Sequence, residues 1–306
     1  MSRVLASQAD YAECEALHRR FGTTYYFATK QFPKLVQQDV HAVYGFVRVP
    51  DEWVDNPGSL TLDERQALLC DWRTQLMDGL TGVTPDSGVM RAFVQTLQNR
   101  KIPLEEPLVF LDAMEMDLTV GCYDTYADLQ TYMRGSASAV GVMMLSVLED
   151  EPTSAKREAA MLLGEAMQMT NFLRDIAEDL TRDRIYMPLE DMDRFGVSVD
   201  QLRAGVFDAR LERLMRFEID RTRALYAASD EGIRQLSRST QRAVLLARVL
   251  YSQILDRIEA QGCNPFAGRA RTSSADKLLS AARVVLAPGR TLDALASRQD
   301  RRVSVL

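Results

Sequence analysis

Gln168-Met-Thr-Asn-Phe-Leu-Arg-Asp-Ile-Ala-Glu-Asp-Leu-Thr-Arg-Asp-Arg-Ile-Tyr-Met-Pro188 is the stretch that decides the fold. Gln168, Asn171, Asp175 and Asp179 follow one another at helical spacing, which puts all four side chains on one face of an α-helix. Met167, Met169, Phe172, Leu173 and Ile176 are their neighbours. The helix therefore seeks burial around most of its circumference and still carries a polar stripe. A second stretch, His41-Ala-Val-Tyr-Gly-Phe-Val-Arg-Val-Pro-Asp-Glu-Trp-Val-Asp55, echoes it. There Tyr44, Arg48, Asp51 and Asp55 share a face among Val43, Phe46, Val47, Val49, Trp53 and Val54.

A carboxylate buried alone costs several kcal/mol unless it is paired or bound to a metal. Two aspartates at i and i+4 lie about 6 Å apart and can share hard cations. Ligands that are all oxygen suit Mg²⁺ rather than zinc or copper, and Mg²⁺ takes its remaining ligands from water and substrate phosphates. Two such stripes facing one another would hold a diphosphate through bridging metals and stabilise it as a leaving group. The pairs Asp124/Asp128 and Asp179/Asp183 have the same spacing without this setting and are given no role.

Helical periodicity dominates the rest of the chain. Helices are expected over about 8–20, 33–55, 61–79, 87–100, 104–120, 125–148 with a break near Gly135, 154–181, 208–234, 237–262 and 274–286. Loop signals fall at Asn56-Pro57-Gly58, Thr81 to Gly88, Glu149 to Thr153, Pro188 to Val199 and Asn264-Pro265. The 306 residues carry no low-complexity linker and no repeat, so the expectation is one all-α domain over 1–297 with a flexible tail over 298–306.

A net charge of −6 argues against nucleic acid as the partner, because phosphate backbones need a basic face. Cys14, Cys70, Cys122 and Cys263 show no metal-ligand spacing and read as reduced, mostly buried thiols. No signal peptide is expected at the N-terminus. The longest apolar run, Val140 to Leu148, falls far short of the ~20 residues a spanning helix needs, so a cytoplasmic protein is expected, with peripheral membrane contact left to a lipid substrate. Glu15-x-x-His18 has the spacing of a di-iron ligand pair, but Gln38 stands three residues before His41, so the second motif is missing and His18 reads as a helix-surface residue.

The segments around both stripes resemble the squalene/phytoene synthase family. Gly22-Thr-Thr-Tyr-Tyr-Phe-Ala28 and Tyr132-Met-Arg-Gly-Ser-Ala-Ser-Ala-Val-Gly141 extend the match. The resemblance implies an all-α isoprenoid (terpenoid) synthase helical bundle with a central cavity. It implies Mg²⁺, with Mn²⁺ as a substitute, and head-to-head condensation of two prenyl diphosphates through a cyclopropyl diphosphate. Asp51, Asp55, Asn171, Asp175 and Asp179 match metal and diphosphate positions, and Arg48, Gln168 and Arg174 match positions that contact or line the diphosphate site. Tyr251, in Tyr-Ser-Gln-Ile-Leu, matches a late tyrosine of the family pattern.

The chain departs from the family at three places. The lysine of the early Ser-Lys-Ser-type stretch is absent from Gly22-Thr23-Thr24, so Thr23, Thr24 or Tyr26 is expected to supply a phosphate contact. Arg134-Gly135 stands where a tyrosine is common. Pro50, directly before Asp51, is expected to kink its helix. Thr29 occupies a position that is bulky in C30 synthases of the family, and His41 replaces a bulkier aromatic nearby. The deeper pocket this implies favours geranylgeranyl diphosphate as substrate and phytoene as product. Squalene or dehydrosqualene synthesis from farnesyl diphosphate remains the alternative within the family. A non-catalytic assembly protein or a helical lipid-binding module are the alternatives outside it, and four inward aspartates argue against both.

Overall fold

Residues 5–303 of this computed structural model are described, without the side chains of Ser274 and of residues 298–303. Among them the chain forms α-helices, with one π-helical and one 3₁₀ stretch and a single isolated β-bridge between Cys122 and Ile185. The chain divides into two compact units. The first comprises residues up to Thr119 together with Arg134–Arg157; the second comprises Val120–Met133 and the rest from Glu158.

In the first unit, α1 (Gln8–Phe21) starts from a reciprocal capping box between Ser7 and Asp10. Next come α2 (Thr23–Thr29), α3 (Lys34–Asp55), α4 (Leu62–Thr81), α5 (Gly88–Arg100) and α6 (Glu105–Met116). The inner face of α3 is Val40, Ala42, Val43 and Phe46, all fully buried. Phe46 stacks on Phe93 of α5 with ring centroids 3.8 Å apart. The expected break near Gly135 is a π-helical stretch, Arg134–Ser138, leading into the apolar α8 (Ala139–Leu148). A Cβ on Gly135 would stand 2.4 Å from the Val109 carbonyl oxygen, so this close approach to α6 admits only glycine.

Pro50 lies inside α3, which nevertheless runs unbroken through Asp55. Proline has no N–H to give the carbonyl four residues back, here that of Phe46. The indole N–H of Trp72, on α4, donates to that same carbonyl at 3.3 Å. The hydrogen bond that Pro50 removes is thus replaced from a neighbouring helix, one turn before Asp51.

In the second unit, α7 (Tyr126–Met133) begins at a box in which Thr125 and Asp128 cap each other, which gives Asp128 a structural task. The long α9 (Ser154–Asp179) enters this unit from Glu158 onward and ends in a 3₁₀ turn, Leu180–Arg182. It is followed by α10 (Leu189–Phe195), α11 (Val199–Arg203), α12 (Ala209–Arg234), α13 (Arg238–Ala260), α14 (Ser274–Leu286) and α15 (Pro288–Val303). Leu173, Leu214, Met215, Ile219, Tyr226 and Leu255 belong to the core of this unit. The Tyr226 hydroxyl meets the Thr170 hydroxyl at 2.9 Å, satisfying both inside that core. Phe172 stacks on Tyr186 at 4.1 Å, fixing the chain that leaves α9 against the helix itself.

Several expectations need correction. Residues 188–199, read as a loop, hold α10, because Pro188 is a favourable residue just ahead of a helix and Gly196 closes it in the left-handed region. Residues 23–29, for which no helix was expected, form α2. The expected helix 104–120 ends at Met116. Cys14 and Cys263 are buried as expected, but Cys70 and Cys122 are exposed. The expected tail over 298–306 meets helical backbone as far as Val303, and 304–306 lie outside the described residues.

Removing the Trp72 donor should leave the Phe46 carbonyl without a partner inside the core. Trp72→Phe is therefore expected to lower unfolding stability by about 1–3 kcal/mol in urea titration. An unchanged midpoint would show that the indole N–H has no such task.

Candidate active site

The first acidic stripe is built on α3. Tyr44, Arg48, Asp51 and Asp55 fall on one partly accessible face of the helix, opposite the buried valines and Phe46. The Arg48 guanidinium bonds both Asp51 and Glu52 and lies over the Phe21 ring, 4.4 Å from its centroid. Its Nε is buried with no bonding partner among the described residues, a donor to spare. Asp51 keeps 35 % of its side-chain surface open, but protein packs closely around the rest. Burial and then the neighbouring Asp55 push its carboxyl up to about 7 against the pull of Arg48.

The early polar segment lies on α2. Thr23 is exposed and Thr24 half-buried. The hydroxyl of Tyr26, one of three residues offered for a phosphate contact, donates to Glu15 at 2.8 Å, and Lys30 bonds the same carboxylate at 2.6 Å. Thr29 is fully buried and its hydroxyl donates to the Tyr25 carbonyl at 3.0 Å. His18 is also fully buried, contrary to the expected surface position. It meets His41 with Nδ1 atoms 2.9 Å apart and stacks on Tyr44 at 4.0 Å. Burial holds His18 down to about 3 and His41 to about 4, so both rings are neutral near pH 7. A neutral pair can share one proton across the Nδ1 contact, whereas two imidazolium rings would repel.

The second stripe is built on α9 in the other unit. Gln168 accepts from the Asn171 amide at 3.3 Å, one turn before the aspartates. Arg174 grips its neighbour Asp175 with two hydrogen bonds. Asp179 faces Arg182 at 3.5 Å and borders an apolar cavity lined by Met169, Phe172, Ile176 and Tyr186. Tyr251 of α13 is close enough to feel both Arg174 and Asp175, and burial raises its phenol above the ordinary range. Arg269, in the segment after α13, reaches the same place: it meets Asp175 at 2.9 Å and Glu178 at 3.2 Å. Arg269 was missed in the sequence. Its only signal there is a pair of arginines, Arg269 and Arg271, in a polar segment far along the chain.

Each stripe thus sets carboxylates beside guanidinium groups on a largely apolar helix. Among the described residues no three His, Cys, Asp or Glu side chains converge as a complete metal cage. The donor set fits an ion that needs few protein ligands: Mg²⁺ commonly takes one or two carboxylates and completes its shell with water and phosphate oxygens.

The chain is similar to known proteins over nearly its whole length. The family profile described as squalene/phytoene synthase matches residues 18–276. A 15-cis-phytoene synthase of Synechococcus elongatus is 34 % identical over 291 residues, covering 91 % of this chain and 94 % of that protein. A 15-cis-phytoene synthase of Synechocystis sp. is 34 % identical over 88 % of this chain and 82 % of that protein. Among solved structures, a dehydrosqualene synthase in complex with ligand superposes with a TM-score of 0.84 at 30 % identity, covering 91 % of this chain and 96 % of the other.

The charge balance at Asp51 makes a pH-dependent stability difference measurable. An aspartate in the unfolded chain ionises near 3.8, whereas folded Asp51 keeps its proton to about 7. The folded state therefore loses stability as pH rises between these values, with the full contribution present below the lower one. Asp51→Asn, uncharged throughout, should gain on the parent protein across that window. With solvent screening the gain is on the order of 1 kcal/mol, level above pH 7 and absent at pH 3.5. Urea unfolding at a series of pH values checks it, and a difference independent of pH would contradict it.

Proposed function

The chain belongs to the squalene/phytoene synthase family, and from that premise we propose that it joins two geranylgeranyl diphosphates head to head into phytoene, releasing two diphosphates. The C20 substrate is supported by the 34 % identity to 15-cis-phytoene synthases over most of both chains. In the first half-reaction one substrate loses diphosphate and becomes an allylic cation. The double bond of the second attacks it, a proton leaves, and a cyclopropyl diphosphate forms. That intermediate loses its own diphosphate, rearranges and gives up a further proton to yield the hydrocarbon.

Enzymes of this family act on prenyl diphosphates and generally use a divalent metal. In this protein Asp51 and Asp55, and Asn171, Asp175 and Asp179, are the residues that would hold Mg²⁺, or Mn²⁺ in its place. When bound, the metal neutralises charge on the departing diphosphate. Arg48, Arg174 and Arg269 are now paired with carboxylates. A guanidinium fork matches phosphate oxygens as well as carboxylate oxygens, so these groups can exchange one for the other when a diphosphate arrives. The spare Nε of Arg48 supports that assignment. Gln168, and Tyr44 on the other stripe, line the polar face, and Thr23 and Thr24 are free to add hydroxyl contacts. Tyr251, kept protonated by its surroundings, can donate a hydrogen bond to an oxygen beside Asp175.

A carbocation survives only where water is kept out. Met169, Phe172 and Ile176, interleaved with the polar stripe of α9, supply an apolar lining next to Asp179. Thr29, small where C30 synthases of the family tend to be bulky, is consistent with a longer prenyl chain. The 30 % identity to a dehydrosqualene synthase supports a second reading, condensation of farnesyl diphosphate.

Product analysis separates the two. Purified protein with Mg²⁺ is expected to convert geranylgeranyl diphosphate to a C40 hydrocarbon with a central triene, and farnesyl diphosphate poorly. A C30 product from farnesyl diphosphate alone would replace the C20 reading, and no hydrocarbon from either substrate would overturn the assignment as an enzyme.

A further inference from the structure

The helix α14 is turned the wrong way round for a helix packed in water. Its inward side carries Ser280 and Val284, both buried, and the Ser280 hydroxyl accepts from the Gln253 amide of α13 at 2.9 Å. Asp276 ties its first turn to Arg257 at 2.6 Å and closes a capping box with Ser273. The helix is therefore seated firmly by polar contacts. Its outward side is Ala275, Leu278, Leu279, Ala282, Val285 and Leu286, at helical spacing on one continuous face. Leu278 is 65 % exposed and Leu286 84 %. The other exposed large hydrophobics among the described residues, such as Leu5, Leu35, Met77 and Val206, are spread along the chain in ones and twos. Scattered apolar residues need no explanation, but a continuous face does.

The segment that carries this face is basic in a protein that is acidic as a whole. The chain carries −6, yet residues 264–297, with Arg269 set aside because Asp175 and Glu178 hold it, have four basic side chains, Arg271, Lys277, Arg283 and Arg290, against Asp276 and Asp293. Both acids are already taken, Asp276 by Arg257 and Asp293 by Arg234. Arg271, Arg283 and Arg290 are exposed and make no ion pair among the described residues. An apolar face bordered by free arginines suits a surface that offers hydrocarbon below and negative charge above. It suits a second copy of this chain poorly, because a two-fold contact through α14 would set the same arginines against each other.

We infer that α14 is a membrane-docking helix, which lies along the surface of an anionic phospholipid bilayer with Leu278, Leu279, Val285 and Leu286 in the acyl region and Arg271, Arg283 and Arg290 at the headgroups. Its 13 residues span about 20 Å, too short to cross a hydrocarbon core of roughly 30 Å but well suited to lie in the interface. Arginine stems can follow the apolar face and lift their charges to phosphate level. One such helix binds reversibly, and its strength depends on both the buried leucines and the lipid charge. The inference stands on this surface alone and does not depend on which prenyl diphosphate the protein uses.

Vesicle sedimentation tests it, with the full-length protein on phosphatidylcholine vesicles with and without about 30 % phosphatidylglycerol. The parent protein should bind the anionic vesicles, and added salt should weaken that binding. Leu278→Ser with Leu286→Ser should reduce partitioning tenfold or more. Arg283→Gln with Arg290→Gln should remove the preference for anionic vesicles. Turnover in detergent should stay at the parent level in both variants, which separates lost docking from lost folding or lost catalysis. Equal partitioning of parent and variants, or no binding to either vesicle, would overturn the inference. So would a dimer in sedimentation analysis that the leucine variant dissociates, which would give the face to a second copy.

Discussion

A carboxylate on an apolar helix must meet a cation, and most of what is distinctive in this protein follows from that constraint. Without ligand the cations are arginines. Arg48 answers Asp51 and Glu52, and Arg174 and Arg269 answer Asp175 from two different directions. The compensation is incomplete at Asp51, whose carboxyl is held near 7 by burial and by Asp55. Such a site stores unfavourable charge that a bound cation would relieve.

The scaffold beneath each stripe is correspondingly specific. Pro50 takes a hydrogen bond out of α3 one residue before Asp51, and Trp72 returns one to the orphaned Phe46 carbonyl. Beneath α9, Thr170 and Tyr226 satisfy each other inside the core, while Phe172 and Tyr186 stack alongside. The acidic faces are therefore carried on helices whose opposite sides are locked by packing and paired polar groups. That rigidity is what a site for a highly charged ligand needs, because side chains held in place lose little freedom on binding.

The two stripes and the helices bearing them were legible in the sequence, because local periodicity determines which side chains share a helix face. Asp51 with Asp55 and Asp175 with Asp179 were found that way, and the break at Gly135 showed as a glycine inside an expected helix. The misses are tertiary. Arg269 reaches Asp175 from 94 residues away, a distance along the chain that no periodicity spans. His18, read as a helix-surface residue once the di-iron spacing was set aside, is buried by Tyr44 and His41 on another helix. Tyr26, one of three residues offered for a phosphate contact, has its hydroxyl on Glu15 of the preceding helix, a pairing that periodicity does not reveal. The short helices α2, α10 and α11 escaped because a window of five to seven residues holds too few turns to show a period.

The proposed role of the aspartates is to bind diphosphate together with a divalent cation. Calorimetric titration of inorganic pyrophosphate into the protein, with and without Mg²⁺, tests it without requiring turnover. Binding should need Mg²⁺ and should weaken about tenfold or more in both Asp51→Asn and Asp175→Asn, the scale of one lost charge-assisted contact. Pyrophosphate binding that is equally strong without the metal, or untouched by both substitutions, would contradict it.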